Sequence, residues 1–305
     1  MKKLFQFYNK LSNFGKILVF IAFLLMVIVF FKQIMPFKEG MTIEENVVYK
    51  EGNDLYDDFY ANIYDYLVFN SVKNNYEVGI IINNSAPTSK SVIADIGCGT
   101  GHHVADLAAK NFKVIGIDIS PAMIKEAKNK YPNSEFKLGN ALDNSLFQQQ
   151  YLTHILCLYF TVYYFKEKHQ FFYNCMDWLM PGGFLFVHLV DREKFDPILP
   201  PGNPLYVVSP QKYAKERITK TKVTFNDFVY TSNFNFNKEN DISTFDEKFK
   251  FNDGKIRKQQ QKLYMEDTAT IVNIAQECGF ILHGKLDMVK CAYDNQYLYI
   301  FVKPT

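Results

Sequence analysis

Asp95-Ile96-Gly97-Cys98-Gly99-Thr100-Gly101 is the stretch richest in chemical information, because three closely spaced glycines follow the apolar run Val92 to Ile96. Glycines at such a place let the backbone approach a ligand and leave the amides at a helix start free. A dinucleotide fingerprint, G-x-G-x-x-G, would need glycine where this chain has His102, counting from Gly97, or Val104, counting from Gly99. A phosphate-cradling P-loop fails as well, since no Gly-Lys-Ser/Thr follows. Asp118 closes the next apolar run, 23 residues after Asp95. A carboxylate there can accept hydrogen bonds from both hydroxyls of an adenosine ribose. Asp95, at the mouth of the loop, favours a cationic ligand. Glycine loop, ribose carboxylate and no phosphate clamp together suit a nucleoside without phosphates. S-adenosylmethionine (AdoMet), with its sulfonium and ammonium charges, is such a molecule.

These residues need a frame to hold them. Val92 to Ile96, Val114 to Ile117, Phe136 to Leu138, Ile155 to Phe160 and Phe184 to Leu189 read as five strands. Helices are expected between them at Val104 to Ala109, from Ser120-Pro121, and at Gln170 to Leu179 before Pro181-Gly182-Gly183. This alternation predicts an α/β fold with a doubly wound, Rossmann-like, mostly parallel sheet, core 90–191. Ahead of it, Tyr56, Tyr60, Ile63, Tyr64 and Leu67 fall at helical spacing. After Asp191 the period changes to two, and Asn252-Asp253-Gly254 signals a hairpin. An antiparallel insertion is expected over about 205–265, an exposed sheet face that could serve as a substrate lid. A closing helix and two strands are expected over 266–305, within one domain spanning 53–305.

The series resembles the class I AdoMet-dependent methyltransferases. Ala94 to Gly101 looks like the family's first motif, Gly116 to Met123 its second and Gly139-Asn140-Ala141-Leu142 its third. Leu156-Cys157-Leu158-Tyr159 sits where the fourth lies, and Leu179 to Gly183 matches the turn before strand five. The resemblance covers about 92–190. It implies AdoMet as cofactor, with Asp95, Gly97, Cys98, Gly99, Thr100 and Gly101 around its methionyl part and Asp118 on the ribose. It further implies Ile119 and Met123 against the adenine, Asn140 and Ala141 at its edge, and Leu158 beside the loop. Tyr56 and Tyr60 resemble tyrosines that fold over the cofactor in related enzymes. Two positions depart from the pattern: Asn140 replaces a common acidic residue, and His154 stands where the fourth motif usually begins with Asp.

Methyl transfer depends mainly on aligning a nucleophile behind an activated methyl group, so no dedicated acid or base is required. Tyr159, Phe160, Tyr163 and Tyr164 follow strand four, where aromatic faces could hold an amine by cation–π attraction. Tyr163 and His188, the latter near the end of strand five, are the catalytic candidates. The expected activity is methylation of a small-molecule acceptor, an amine among the options. The alternative is a catalytically silent AdoMet-binding scaffold tethered to a membrane.

The 305 residues carry 34 Lys+Arg against 32 Asp+Glu, too balanced for a dedicated nucleic-acid binder. Five widely spaced cysteines without a CxxC pair point to no metal site and no disulfide framework. At the front, residues 1–15 form a basic tail and 37–52 a polar linker. Between them, fifteen apolar residues from Ile17 to Phe31 lead us to expect a transmembrane anchor and bilayer contact over 16–36. The lysine count weakly places the rest of the chain across the membrane, whereas AdoMet supply favours a cytosolic catalytic domain.

Overall fold

The computed structural model describes residues 11–12, 14–17, 19–22, 24, 26, 47–202 and 209–305. They fall in two compact units, 1–46 and 47–305. In the first unit, described residues from 14 to 26 are helical, and Ser12 caps their start by accepting from the Gly15 amide (3.2 Å).

The expected transmembrane helix over 16–36, and with it the bilayer contact and membrane location, is corrected here. Among the described residues no helix is long and apolar enough to cross a membrane. The physical reason lies in the length of the apolar run: as a helix it reaches about 22 Å, against a hydrocarbon core of about 30 Å. Residues 27–36 of that stretch lie outside the described residues.

The second unit is built on a seven-stranded sheet. Its strands are β2 (Val92–Ile96), β3 (Lys113–Asp118), β4 (Glu135–Leu138), β5 (Leu152–Cys157), β6 (Leu179–Val190), β11 (Ile281–Met288) and β12 (Tyr293–Val302), in the order β11-β12-β6-β5-β2-β3-β4. The five strands from β6 to β4 run parallel, and β12 and β11 are antiparallel additions at one edge. Side chains alternate between two apolar layers, as a sheet covered on both faces requires. Ala94, Ile96, Ile155 and Leu185 join Phe171 and Trp178 in one layer. Ile93, Leu156 and Phe186 join Ile81, Val104 and Leu107 in the other. Pro181-Gly182-Gly183 lies inside β6 rather than before it, and the β5–β6 pairing slips register between Leu152 and His154.

Helices α1 (Asp58–Val68), α2 (Ser71–Ser85), α3 (His102–Ala108), α4 (Pro121–Lys130), α5 (Thr161–Tyr164), α6 (Lys168–Trp178) and α7 (Thr268–Glu277) complete the unit. Asp57 caps α1 through the Tyr60 amide (3.1 Å) and Asn70 caps α2, so a two-residue turn sets their angle.

The insertion forms a second sheet, in the order β1-β10-β9-β8-β7. Its strands are β1 (Val47–Glu51), β7 (Lys220–Thr224), β8 (Phe228–Asn237), β9 (Ile242–Phe251) and β10 (Ile256–Tyr264). β1 comes from the stretch expected to be linker and pairs parallel with β10. The sheet is not exposed on both faces. Phe59 of α1 packs edge-on against Phe228, Phe249 and Phe251 (5.3–6.1 Å between centroids). Arg257 forks onto both Asp57 carboxylate oxygens (2.9 and 2.8 Å) and donates to the Leu55 carbonyl (2.7 Å). One guanidinium nitrogen, Nη1, bridges both Asp57 oxygens while Nη2 holds the Leu55 carbonyl, so the part-buried contact ties β10 to the start of α1.

Candidate functional site

The glycine loop leaves β2 and turns into α3. Its shape is imposed by hydrogen bonds to the neighbouring strand: the Gly97 and Cys98 amides both donate to the Ile117 carbonyl (2.8 and 2.9 Å). Gly97 has φ +72°, and a Cβ there would lie 2.5 Å from the Thr161 hydroxyl. A side chain at this position is therefore excluded twice, by backbone conformation and by space.

Asp118 ends β3 and reaches under the loop. One carboxylate oxygen accepts from the Gly99 amide (3.0 Å), the other from the Ser120 amide (2.9 Å). Burial raises its carboxyl above the ordinary range, and those amides oppose the shift. Ser120 caps α4 through Met123 and donates to the Tyr56 carbonyl (2.7 Å), which ties the segment before α1 to the same corner.

A cavity of about 340 Å³ opens here. Of the residues predicted from sequence, it brings together Gly97, Gly99, Asp118, Ile119, Met123, Asn140, Ala141 and Tyr56. The volume lies within the range of small-molecule and cofactor sites, about 300–1,000 Å³. A second cavity shares Gly97, Gly99, Tyr64 and Tyr159 with it and holds Asp95, Cys98, Thr100 and Leu158. Asp95 is 2% exposed, and its Oδ2 has no hydrogen-bond partner. Burial pushes its carboxyl up to about 7, with Glu77 and Asp118 adding to the push and His103 opposing it.

Around Asp95 the chain supplies charge that the sequence reading missed. Glu77 of α2 is fully buried and accepts from Lys73 Nζ (2.6 Å) and His103 Nε2 (2.9 Å). Burial alone would raise the Glu77 carboxyl, but Lys73 and His103 outweigh it and hold it near about 2. The Thr100 hydroxyl donates to Asp65 (2.6 Å), which also meets His102 and Lys130. Helix α1 is thereby pinned to the start of α3.

The remaining predicted residues sit elsewhere. Gly101 is the N-cap of α3. Tyr60 is 1% exposed, one turn behind Tyr56, with its hydroxyl on Glu247. The Tyr163 hydroxyl accepts from the Val190 amide (2.8 Å) in the core, where burial pushes its pKa up. His188 is fully buried beside the Tyr159 and Phe160 rings, and burial pushes its imidazole down to about 3. Neither Tyr163 nor His188 lines the cavities. Tyr64, which lines two of them, was visible only as the third tyrosine of the spaced series that runs from Tyr56 into α1.

A third cavity lies between the parallel sheet and the insertion. Phe195, Leu199, Phe234, Phe245, Leu263 and Gln261 wall it, together with Tyr159, Phe160 and Tyr164. The last three also line the 340 Å³ cavity, so one aromatic wall faces both spaces. Tyr159 holds φ +53°, a conformation rare outside glycine, two residues after the end of β5. Strain of this kind gathers at functional sites.

Residues 93–183 match the family described as "Methyltransferase domain". "Putative methyltransferase 235L" of Invertebrate iridescent virus 6 is 31% identical over 102 residues, 32% of this chain and 37% of that protein. The dTDP-4-amino-2,3,4,6-tetradeoxy-D-glucose N,N-dimethyltransferase of Saccharopolyspora spinosa is 28% identical over 144 residues, 44% of this chain and 56% of that one. The chain thus spans roughly a third to just over half of the length of these curated relatives. Among solved structures, an S-adenosylmethionine-dependent methyltransferase from Clostridium acetobutylicum shares the fold, with a TM-score of 0.61 at 16% identity. That likeness covers 81% of this chain and 99% of the other. Residues 93–183 thus match a methyltransferase domain, set in a fold shared with AdoMet-dependent methyltransferases.

Proposed function

We propose that this protein transfers a methyl group from AdoMet to a small-molecule acceptor, with a basic nitrogen as the atom methylated. The observation that carries this reading is that the glycine-loop cavity and the aromatic cavity share Tyr159, Phe160 and Tyr164 in their linings. The two spaces adjoin along these side chains, so reactants seated in them would be neighbours, and pre-alignment supplies most of what such a displacement needs.

The residues present fit AdoMet. Both Asp118 oxygens retain lone pairs beyond their amide partners, enough for two ribose hydroxyls. The unpartnered Asp95 Oδ2 suits the ammonium group. Ile119 and Met123 offer apolar surface to the adenine, with Asn140 and Ala141 at its edge. Bound there, AdoMet supplies a methyl group already activated by its sulfonium. Tyr56 and Tyr64 cover the cavity from the α1 side and would keep water out.

On the acceptor side, aromatic faces attract a cationic or incipiently cationic nitrogen. The N,N-dimethyltransferase relative, named for an amino sugar, agrees with nitrogen as the acceptor atom. Tyr163 and His188 take no part in this reading as acid or base. The catalytic unit would work in the cytosol, where AdoMet is made and where five free cysteines stay reduced.

The test is incubation of the full chain with AdoMet and a panel of amines and matched alcohols, following S-adenosylhomocysteine and methylated product. Asp118→Ala removes an ionised partner, so AdoMet affinity should fall by about 10- to 100-fold, from ~1.5–3 kcal/mol per charged hydrogen bond. Binding without product formation on any acceptor would leave a silent AdoMet-binding module instead.

A further inference from the structure

Resting on the reading that a nitrogen is methylated here, we propose that Glu247 is a buried anion that selects acceptors bearing a cationic or cation-forming nitrogen. Glu247 lies on the inner face of β9 and is 3% exposed. Its carboxylate accepts from the Tyr230 hydroxyl (2.7 Å), Gln259 Nε2 (2.7 Å), Gln261 Nε2 (2.7 Å) and the Tyr60 hydroxyl (3.1 and 3.2 Å). Every neighbour donates, which is the arrangement an ionised carboxylate requires.

Among the described residues, none forms an ion pair with Glu247. Arg257, two positions from Gln259 on the same face of β10, directs its guanidinium to Asp57, the Leu55 carbonyl and Gln259 Oε1. Burial raises the Glu247 carboxyl, while hydrogen bonds from Gln259, Tyr230, Gln261 and Tyr60 oppose the shift. A buried charge without a counter-ion is destabilising in itself. Such departures from an apolar inner face gather where a protein has work to do.

Its position assigns that work. Gln261 bonds Glu247 with one end and lines the aromatic cavity with the other, where its Oε1 accepts from the Tyr164 hydroxyl. The carboxylate therefore stands one amide behind the acceptor wall. During transfer the acceptor's lone pair forms the new N–C bond, and the electrons of the breaking C–S bond stay on sulfur. One positive charge leaves sulfur and arrives on nitrogen, which afterwards gives any surplus proton to solvent. A fixed negative charge behind low-dielectric walls favours that arrival more than water would.

The experiment compares choline with its uncharged carbon isostere, in which a quaternary carbon replaces the nitrogen. Both are titrated calorimetrically into the full chain in the presence of S-adenosylhomocysteine. The wild type should hold choline about tenfold or more tightly than the isostere, a difference of ~1.4 kcal/mol. Glu247→Gln should cut the preference several-fold, to what the aromatic wall alone gives, and Glu247→Asp should restore it. A merely structural Glu247 would move both ligands alike. Equal affinities in the wild type, no choline binding, or an unchanged preference in Glu247→Gln each overturn the assignment, and the first two do so even if the variant fails to fold. A separate AdoMet titration keeps the readings apart: loss of AdoMet binding sinks the methyltransferase reading, whereas AdoMet binding without cation preference sinks only Glu247.

Discussion

Asp95→Asn should make the ligand-free protein more stable and a poorer binder of AdoMet. The carboxyl ordinarily titrates at 3.8, and burial pushes it up to about 7. Some three units at ~1.36 kcal/mol each give a ceiling of about 4 kcal/mol for keeping this group charged in its pocket. The sign follows from proton counting. Between the two values the folded state holds a proton that the unfolded state has lost, so the wild type loses stability as pH rises. The penalty is absent below about pH 4, grows toward about pH 7 and is complete above it. Asparagine lacks the charge, so the variant's advantage in calorimetric melting should widen over that window and then level off. AdoMet binding runs the opposite way: its ammonium favours the ionised carboxylate, so wild-type affinity should rise with pH through about 7, while the variant's stays flat. A variant no more stable than wild type near about pH 8, or a wild-type affinity indifferent to pH, would refute the reasoning.

Two further substitutions probe the scaffold. Gly97→Ala places a Cβ 2.5 Å from the Thr161 hydroxyl at φ +72°, so it should destabilise by about 1–3 kcal/mol and weaken AdoMet binding, read by thermal melting and calorimetry. Arg257→Leu leaves the Leu55 carbonyl without its donor and Asp57 with only Lys50 and the Tyr60 amide, and should cost about 1–3 kcal/mol, with faster proteolysis of the β7–β10 sheet than of the parallel core.

How far the sequence could be read depended on how local each signal was. The glycine loop, Asp118 and the Ser120 cap announce themselves in short stretches of sequence, and the loop and Asp118 line one cavity. Glu77 and Lys73 escaped notice because their significance comes from His103 and Asp95, which the fold brings beside them. Glu247 escaped for a different reason. A period of two says which residues share a face of a strand, but not that Tyr60 of a distant helix will cover that face and make its polar centre buried. The apolar run near the front was plain, yet apolarity alone does not decide whether a segment spans a membrane; length enters too. Tyr163 and His188 looked chemical by type and strand position, while their burial depended on packing across the sheet.

The pairing of β1 with β10 bears on the order in which the molecule can be assembled. The Arg257 fork onto Asp57 joins residues 200 positions apart, and the β1–β10 ladder bridges a comparable span. On a ribosome emitting the chain from its N-terminus, α1 emerges early but gains these partners only after β10 has been made. Contacts of such long sequence separation form late and slowly. The cover over the cofactor cavity should therefore mature only after most of this unit has been made, leaving its aromatic residues exposed to chaperones in the interval.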